Sequence, residues 1–263
     1  MPHVTSKDGT KIGFSKTGRG PALILTTGAF QDRYGLAEHA KLLSAHFTVY
    51  NYDRRGRGES EDNQPYAVER EIEDIGALIQ EAGGSAFLFG GSSGAVLSLD
   101  AAGCGLPIPK LALYEPPFVV DDSRNPVPEH FVEQLKEMLA AGRRGDAAET
   151  FMVKGANIPP EVAADMRSAP FWAATEAVAH TLIYDATIME GMMSGKPLPA
   201  ERWAGVIMPT LVMDGSQSPA WARNAVQALT RSLPNSRHHT LEGQAHGVTP
   251  EALVPILVEF FTA

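Results

Sequence analysis

Cysteine is almost missing from this chain: Cys104 is the single one among 263 residues. It has no partner for an internal disulfide, and neither C-x-x-C nor Cys/His metal spacing occurs. Neither a disulfide framework nor a cysteine-based metal site is expected. Long apolar runs are missing too. No stretch approaches the roughly 18 apolar residues that span a membrane. The polar segment Met1 to Thr10 lacks the apolar centre of a secretory signal. A cytoplasmic protein with no membrane partner is the expectation. Positive charge is in short supply, with 22 Lys and Arg against 31 Asp and Glu and a formal net charge of −9. That balance argues against nucleic acid and anionic lipid as partners. Internal repeats and low-complexity tracts are absent.

What is present is ordinary globular composition, 44% apolar and 20% charged. The length suits one α/β domain with room for an inserted subdomain. His3 to Ser15 alternates around Asp8-Gly9, a hairpin signal. Ala22 to Thr27 is apolar on both faces, as in a covered parallel strand, and stops at Gly28-Ala29-Phe30. A helix is expected from Gly35 to Ala45. The strand Phe47 to Tyr52 then runs into Asp53-Arg54-Arg55-Gly56-Arg57-Gly58-Glu59-Ser60. Helical spacing of Ile72, Ile75, Leu78 and Ile79 marks Val68 to Ala82. Leu111 to Tyr114 reads as a short strand ending at Glu115-Pro116-Pro117. Helical periods then replace strands until Pro209 to Met213, which is followed by Asp214-Gly215. A last strand near Arg237 to Leu241 leads to Gly243-Gln244-Ala245-His246-Gly247 and a closing helix, Pro250 to Phe261. The expected division is an α/β core of residues 1–118 and 205–263 with a helical insert at 119–204. Alternation of this kind implies a mostly parallel sheet with helices on both faces, and ligands bind beyond the carboxyl ends of its strands.

The most specific stretch is Ala86 to Leu97, A-F-L-F-G-G-S-S-G-A-V-L. It is a G-x-S-x-G pattern with Ser92 at its centre, between an apolar strand and a helix, where that motif belongs. A hydroxyl can stand clear of a sheet only if the chain reverses within about one residue, and side chains at Gly90 and Gly94 would collide there. The N–H of Ser93 would be left free at a helix N-terminus, where it can meet developing negative charge.

With these features the chain resembles an α/β-hydrolase carrying a helical cap. The resemblance rests on G-G-S-S-G around Ser92, on Asp53-x-x-Gly56-x-Gly58-x-Ser60, on Thr27-Gly28-Ala29 and on G-Q-A-H before the last helix. It implies Ser92 as nucleophile and His246 as general base, in the chain order this fold uses. It also implies an oxyanion hole made by the N–H groups of Ala29 and Ser93. The acid departs from the pattern, because the position where the family usually has Asp is Ser218. Two candidates remain. Glu115 stands at a strand end from which haloalkane dehalogenases of this fold can draw their acid, and Pro116 is expected to hold it extended. Asp214, one residue before Gly215, is the alternative. A serine at position 92 speaks against dehalogenase and epoxide-hydrolase chemistry, which would resemble Asp there.

The implied activity is that of a serine hydrolase acting on an ester or lactone of a fairly apolar small molecule, and it implies no metal or organic cofactor. Alternatives are a non-hydrolytic enzyme of this fold, transferring an acyl group or cleaving a C–C bond, and a catalytically weak small-molecule binding protein. Six of nine methionines lie in the insert. They are expected mostly in its own core, with some facing a ligand. Phe30, Trp172, His180, Tyr184 and Met189 are the expected substrate-binding residues. Asp53 with Arg54, Arg55 and Arg57 is expected to organise a turn, with phosphate binding as the sharper alternative. His3, His39, His46 and His130 lie far from strand ends, and His238 and His239 point to opposite faces of one strand.

Overall fold

The computed structural model describes residues 2–199 and 201–263; Met1 and Ala200, which fall within the expected core and insert, lie outside them. Among the described residues, eight strands form one sheet: β1 (His3–Thr5), β2 (Lys11–Thr17), β3 (Ala22–Thr26), β4 (Thr48–Tyr52), β5 (Phe87–Gly91), β6 (Leu111–Tyr114), β7 (Thr210–Gly215) and β8 (Ser236–Leu241). Their order is β1-β2-β4-β3-β5-β6-β7-β8. β1 with β2 and β2 with β4 pair antiparallel, and every pairing from β4 to β8 is parallel. The Asp8-Gly9 turn is the hairpin joining β1 to β2, with Gly9 at φ +87°.

Apolar character on both faces of the central strands follows from how the sheet is covered. Leu23 and Leu25 pack in one cluster with α1 (Ala37–Leu43) and α10 (Pro250–Thr262). Ile24, between them, points the other way into a second cluster with α2 (Val68–Glu81), α3 (Ser93–Gly103) and α9 (Ala220–Ser232). Period-2 alternation thus sorts neighbouring residues into two cores, each side chain contributing about 1.5–3 kcal/mol on full burial. Between β6 and β7 the regular elements are helical: α4 (Phe131–Ala140), α5 (Arg144–Thr150), a π-helical turn (Phe151–Gly155), α6 (Pro160–Met166), α7 (Trp172–Ala177) and α8 (Leu182–Ile188). Leu135, Leu182 and Met189 of this region continue the cluster that holds α3, so it sits on the same face of the sheet.

The helix expected at Gly35 to Ala45 divides into a 3-10 turn, Arg33–Leu36, and α1. Asp32 causes the early start, because its carboxylate accepts the N–H of Tyr34 at 2.9 Å and caps the turn. Among the described residues, no helix is long and apolar enough to cross a membrane.

Candidate active site

Ser92 occupies the bend between β5 and α3 with φ +55° and ψ −129°. A non-glycine residue there stores about 1–3 kcal/mol of backbone strain, which the surrounding packing must hold. Three glycines make the bend possible. A Cβ on Gly90 would lie 2.4 Å from the Gly94 carbonyl oxygen, and one on Gly94 would lie 2.5 Å from that of Thr27. On Gly28 it would lie 2.9 Å from Ser92 Cβ, so the Thr27–Gln31 loop rests directly against the serine. The N–H of Ser92 donates to the Tyr114 carbonyl at 2.9 Å, fixing the bend to the end of β6.

One residue beyond that end is Glu115, 1% exposed. Its Oε2 lies 2.7 Å from His246 Nδ1. Its Oε1 accepts the Gly215 N–H at 2.9 Å and the Ser218 hydroxyl. Burial pushes the carboxyl's pKa up, but the hydrogen bonds from His246, Ser218 and Gly215 outweigh it and hold the group below its ordinary value. The expectation that Pro116 keeps Glu115 extended does not hold, since Glu115 has φ +45°. Its N–H is bound to the Met213 carbonyl at 2.9 Å, and this tie to β7 together with the carboxylate's three partners overrides the local preference.

The loop carrying His246 is fastened from two sides. Tyr114 Oη donates to the Ala245 carbonyl at 2.5 Å, and the Gln217 N–H donates to that of Gln244 at 2.8 Å. Gly215 permits that approach, for a Cβ there would lie 2.2 Å from the Gln244 carbonyl oxygen. The His246 side chain is 54% exposed. Among the described residues no hydrogen bond joins Ser92 Oγ to His246, but both line one cavity of about 380 Å³. Unliganded sites often close such contacts only around substrate.

Asp214 is equally buried but lies elsewhere. Its Oδ2 is 3.1 Å from His238 Nε2 on β8, within ion-pair distance yet not aligned as a hydrogen bond. The structure therefore brings Glu115, and not Asp214, to His246.

Ala29 and Ser93 both line the cavity beside Ser92. Met189 lines it as well, with Phe151, Ile158, Pro117 and Trp221. The other expected substrate residues stand back from it. Phe30 meets Phe151 edge-on at 5.5 Å between ring centres. Trp172 is buried and donates to Glu176 at 3.0 Å, and His180 lies 3.3 Å from Arg144. Tyr184 stacks on Tyr66 at 3.9 Å and bonds Asp62 and Gln64 through its hydroxyl. Pro117, Phe151, Ile158 and Trp221 are wall residues outside the expected substrate-binding set; Trp221 stands at the start of a helix following a strand end, where ligands gather.

The arginine-rich loop after β4 is engaged through its arginines in buried contacts with the protein. Asp53 pairs with Arg33, while Arg54 meets Glu71 and Asp185, Arg55 meets Asp74 and Asp8, and Arg57 meets Asp185. All three of the loop's guanidiniums are buried and engaged with carboxylates, which leaves the phosphate alternative without support. Among the described residues, no three His, Cys, Asp or Glu side chains are grouped to hold a metal ion.

Comparison with known proteins agrees with this fold. The sequence model of the alpha/beta hydrolase family matches residues 23–255, nearly the whole chain. The chain belongs to the alpha/beta hydrolase family. A crystal structure of an alpha/beta hydrolase from Sphaerobacter thermophilus DSM 20745 superposes on this hydrolase with a TM-score of 0.92 at 54% identity, covering 99% of this chain and 100% of that one. The enol-lactonase from Burkholderia xenovorans LB400 shares the fold, with a TM-score of 0.74 at 21% identity over 100% of both chains. Among curated proteins, the uncharacterized hydrolase YraK of Bacillus subtilis (strain 168) is 34% identical over 96 residues, a match covering 35% of each protein.

Proposed function

We propose that this α/β hydrolase is a serine hydrolase that cleaves an ester or lactone of a fairly apolar small molecule through an acyl-enzyme. The 2.7 Å contact between His246 Nδ1 and the buried Glu115 carboxylate, at a cavity shared with Ser92, carries this reading. With Nδ1 committed to Glu115, the other ring nitrogen is left to accept a proton. Ser92 Oγ attacks the substrate carbonyl as His246 Nε2 takes the hydroxyl proton. The oxygen of the tetrahedral intermediate takes hydrogen bonds from the N–H groups of Ala29 and Ser93. His246 returns the proton to the departing alkoxide. Water then attacks the acyl-enzyme by the same route, giving the acid and free Ser92. Glu115 stays ionised throughout and stabilises the imidazolium.

The helical region, residues 119–204, serves in this proposal as a cap that supplies the apolar wall through Phe151, Ile158 and Met189. The enol-lactonase of like fold is compatible with lactones as substrates. A panel of p-nitrophenyl esters from acetate to decanoate, with matching lactones, tests the assignment. Turnover that is highest for apolar acyl groups of intermediate length is the expected result. No turnover of any ester or lactone would contradict it.

A further inference from the structure

Arg54, Arg55 and Arg57 are buried beside the site, and Arg57 reaches the Gly28–Ala29 loop itself. Arg57, 2% exposed, donates from Nη1 to the Gly28 carbonyl at 2.6 Å and to the Gln31 carbonyl at 3.1 Å. The Gly28 carbonyl belongs to the same peptide unit as the N–H of Ala29. That peptide is trans, so its C=O and N–H point in opposite directions across one plane. Pinning the oxygen on one side therefore aims the N–H out of the other. A cation on the oxygen also draws electron density through the amide and makes the N–H a stronger donor.

Arg57 is in turn held by a residue far along the chain. Its Nη2 donates to Asp185 Oδ2 at 2.5 Å, on α8 of the helical region. The other oxygen of Asp185 accepts the Ser93 hydroxyl at 2.7 Å, across 92 positions of sequence, and Arg54 Nη1 at 2.7 Å. Asp185 is fully buried, and burial pushes its pKa up, but Arg57 and Arg54 outweigh that and keep it ionised. One carboxylate thus bonds Ser93 directly and reaches the Gly28–Ala29 loop through Arg57.

Resting on the acyl-transfer reading above, we propose that Arg57 and Asp185 are positioning residues of the oxyanion hole. Arg57 aims and polarises the Ala29 peptide, and Asp185 holds Arg57 and Ser93 in register with each other. Neither touches the substrate. Because the oxyanion is common to every ester, their loss weakens turnover by the same factor whatever the acyl group.

The test uses the full chain with p-nitrophenyl acetate, butyrate and hexanoate as substrates and phenylboronic acid as a tetrahedral analogue. Ser93→Ala removes one arm, and Arg57→Lys keeps the charge but loses the fork. Each is expected to lower kcat about tenfold, part of the 10² to 10³ that a whole oxyanion donor is worth. KM should stay within about twofold, and the boronate inhibition constant should rise in parallel with the loss of kcat for all three esters. If either variant fails to fold, the other carries the test. Unchanged kcat and boronate affinity with only a lowered Tm would overturn the inference and leave plain structural support. A wild-type protein that neither cleaves these esters nor binds the boronate would instead remove the acyl-transfer reading on which it rests.

Discussion

Ser218 donates its hydroxyl to Glu115 Oε1, so the carboxylate on which His246 leans is anchored from the end of the neighbouring strand. The two oxygens divide their work. Oε1 is saturated by Ser218 and the Gly215 N–H, and Oε2 is left to the imidazole. A serine cannot balance an imidazolium charge, but it can keep a buried carboxylate from rotating away from one. In the proposed mechanism the acid function thus spans two strand ends, with charge from β6 and its anchor just beyond β7.

Removing the charge should be costly. Glu115→Gln is expected to lower kcat by about 10³- to 10⁴-fold, the scale seen when a triad acid loses its charge. Asp214→Asn should keep near-wild-type turnover, since Asp214 faces His238 and not His246. Steady-state kinetics of the two variants against one ester decides the assignment. A collapse in Asp214→Asn with Glu115→Gln unaffected would reverse it.

The same carboxylate should leave a mark on stability. Burial alone would raise its pKa, but its hydrogen-bond partners hold it below the ordinary value of 4.5. A carboxyl whose folded pKa is depressed stabilises above its unfolded pKa, and that stabilisation is lost as pH falls through the folded value. The Tm of Glu115→Gln should therefore lie furthest below wild type near neutrality, with the gap narrowing once pH drops below about 4. Thermal melts of both proteins between pH 7 and pH 3 give the comparison.

Glu71 closes the far side of the arginine cluster, taking Arg54 at 2.7 and 2.8 Å and the Tyr66 hydroxyl at 2.9 Å. Without its charge, Arg54 and Arg57 would share Asp185 alone in a buried setting. Glu71→Gln should destabilise the fold by about 3–5 kcal/mol, the cost of leaving a buried charge unpaired. Denaturant unfolding of the variant against wild type measures it.

Trp221 forms part of the cavity wall, and Trp221→Ala enlarges the space where the acyl chain is proposed to lie. Each methylene that a pocket accepts is worth about 1–3 kcal/mol in kcat/KM. Room for one further methylene of the hexanoyl chain should therefore raise the hexanoate-to-acetate ratio of kcat/KM at least about tenfold.

The layered sheet and the elbow were legible in the sequence because each rests on local constraint. Apolar runs need cover on two faces, and a strand that reverses at Ser92 admits no Cβ at positions 90 and 94. The choice between Glu115 and Asp214 was only partly legible: the sequence favoured Glu115 by its place at a strand end and kept Asp214 as the alternative. Tyr114 pairs with Met213, so the two acids stand abreast on neighbouring strands. What separates them is the positive φ of Glu115 and the Ser218 anchor, both set by tertiary contacts. The insert was harder still, since helical periodicity marks Trp172 and Tyr184 as buried without saying against what. Their partners, Glu176 for one and Asp62 with Tyr66 for the other, turn out to lie away from the cavity.

Fluorophosphonate labelling followed by peptide mass spectrometry tests the central claim most directly. The proposed chemistry predicts one adduct on Ser92, absent from Ser92→Ala and formed far more slowly in His246→Ala. An adduct that survives Ser92→Ala, or none on folded wild-type protein, would contradict it.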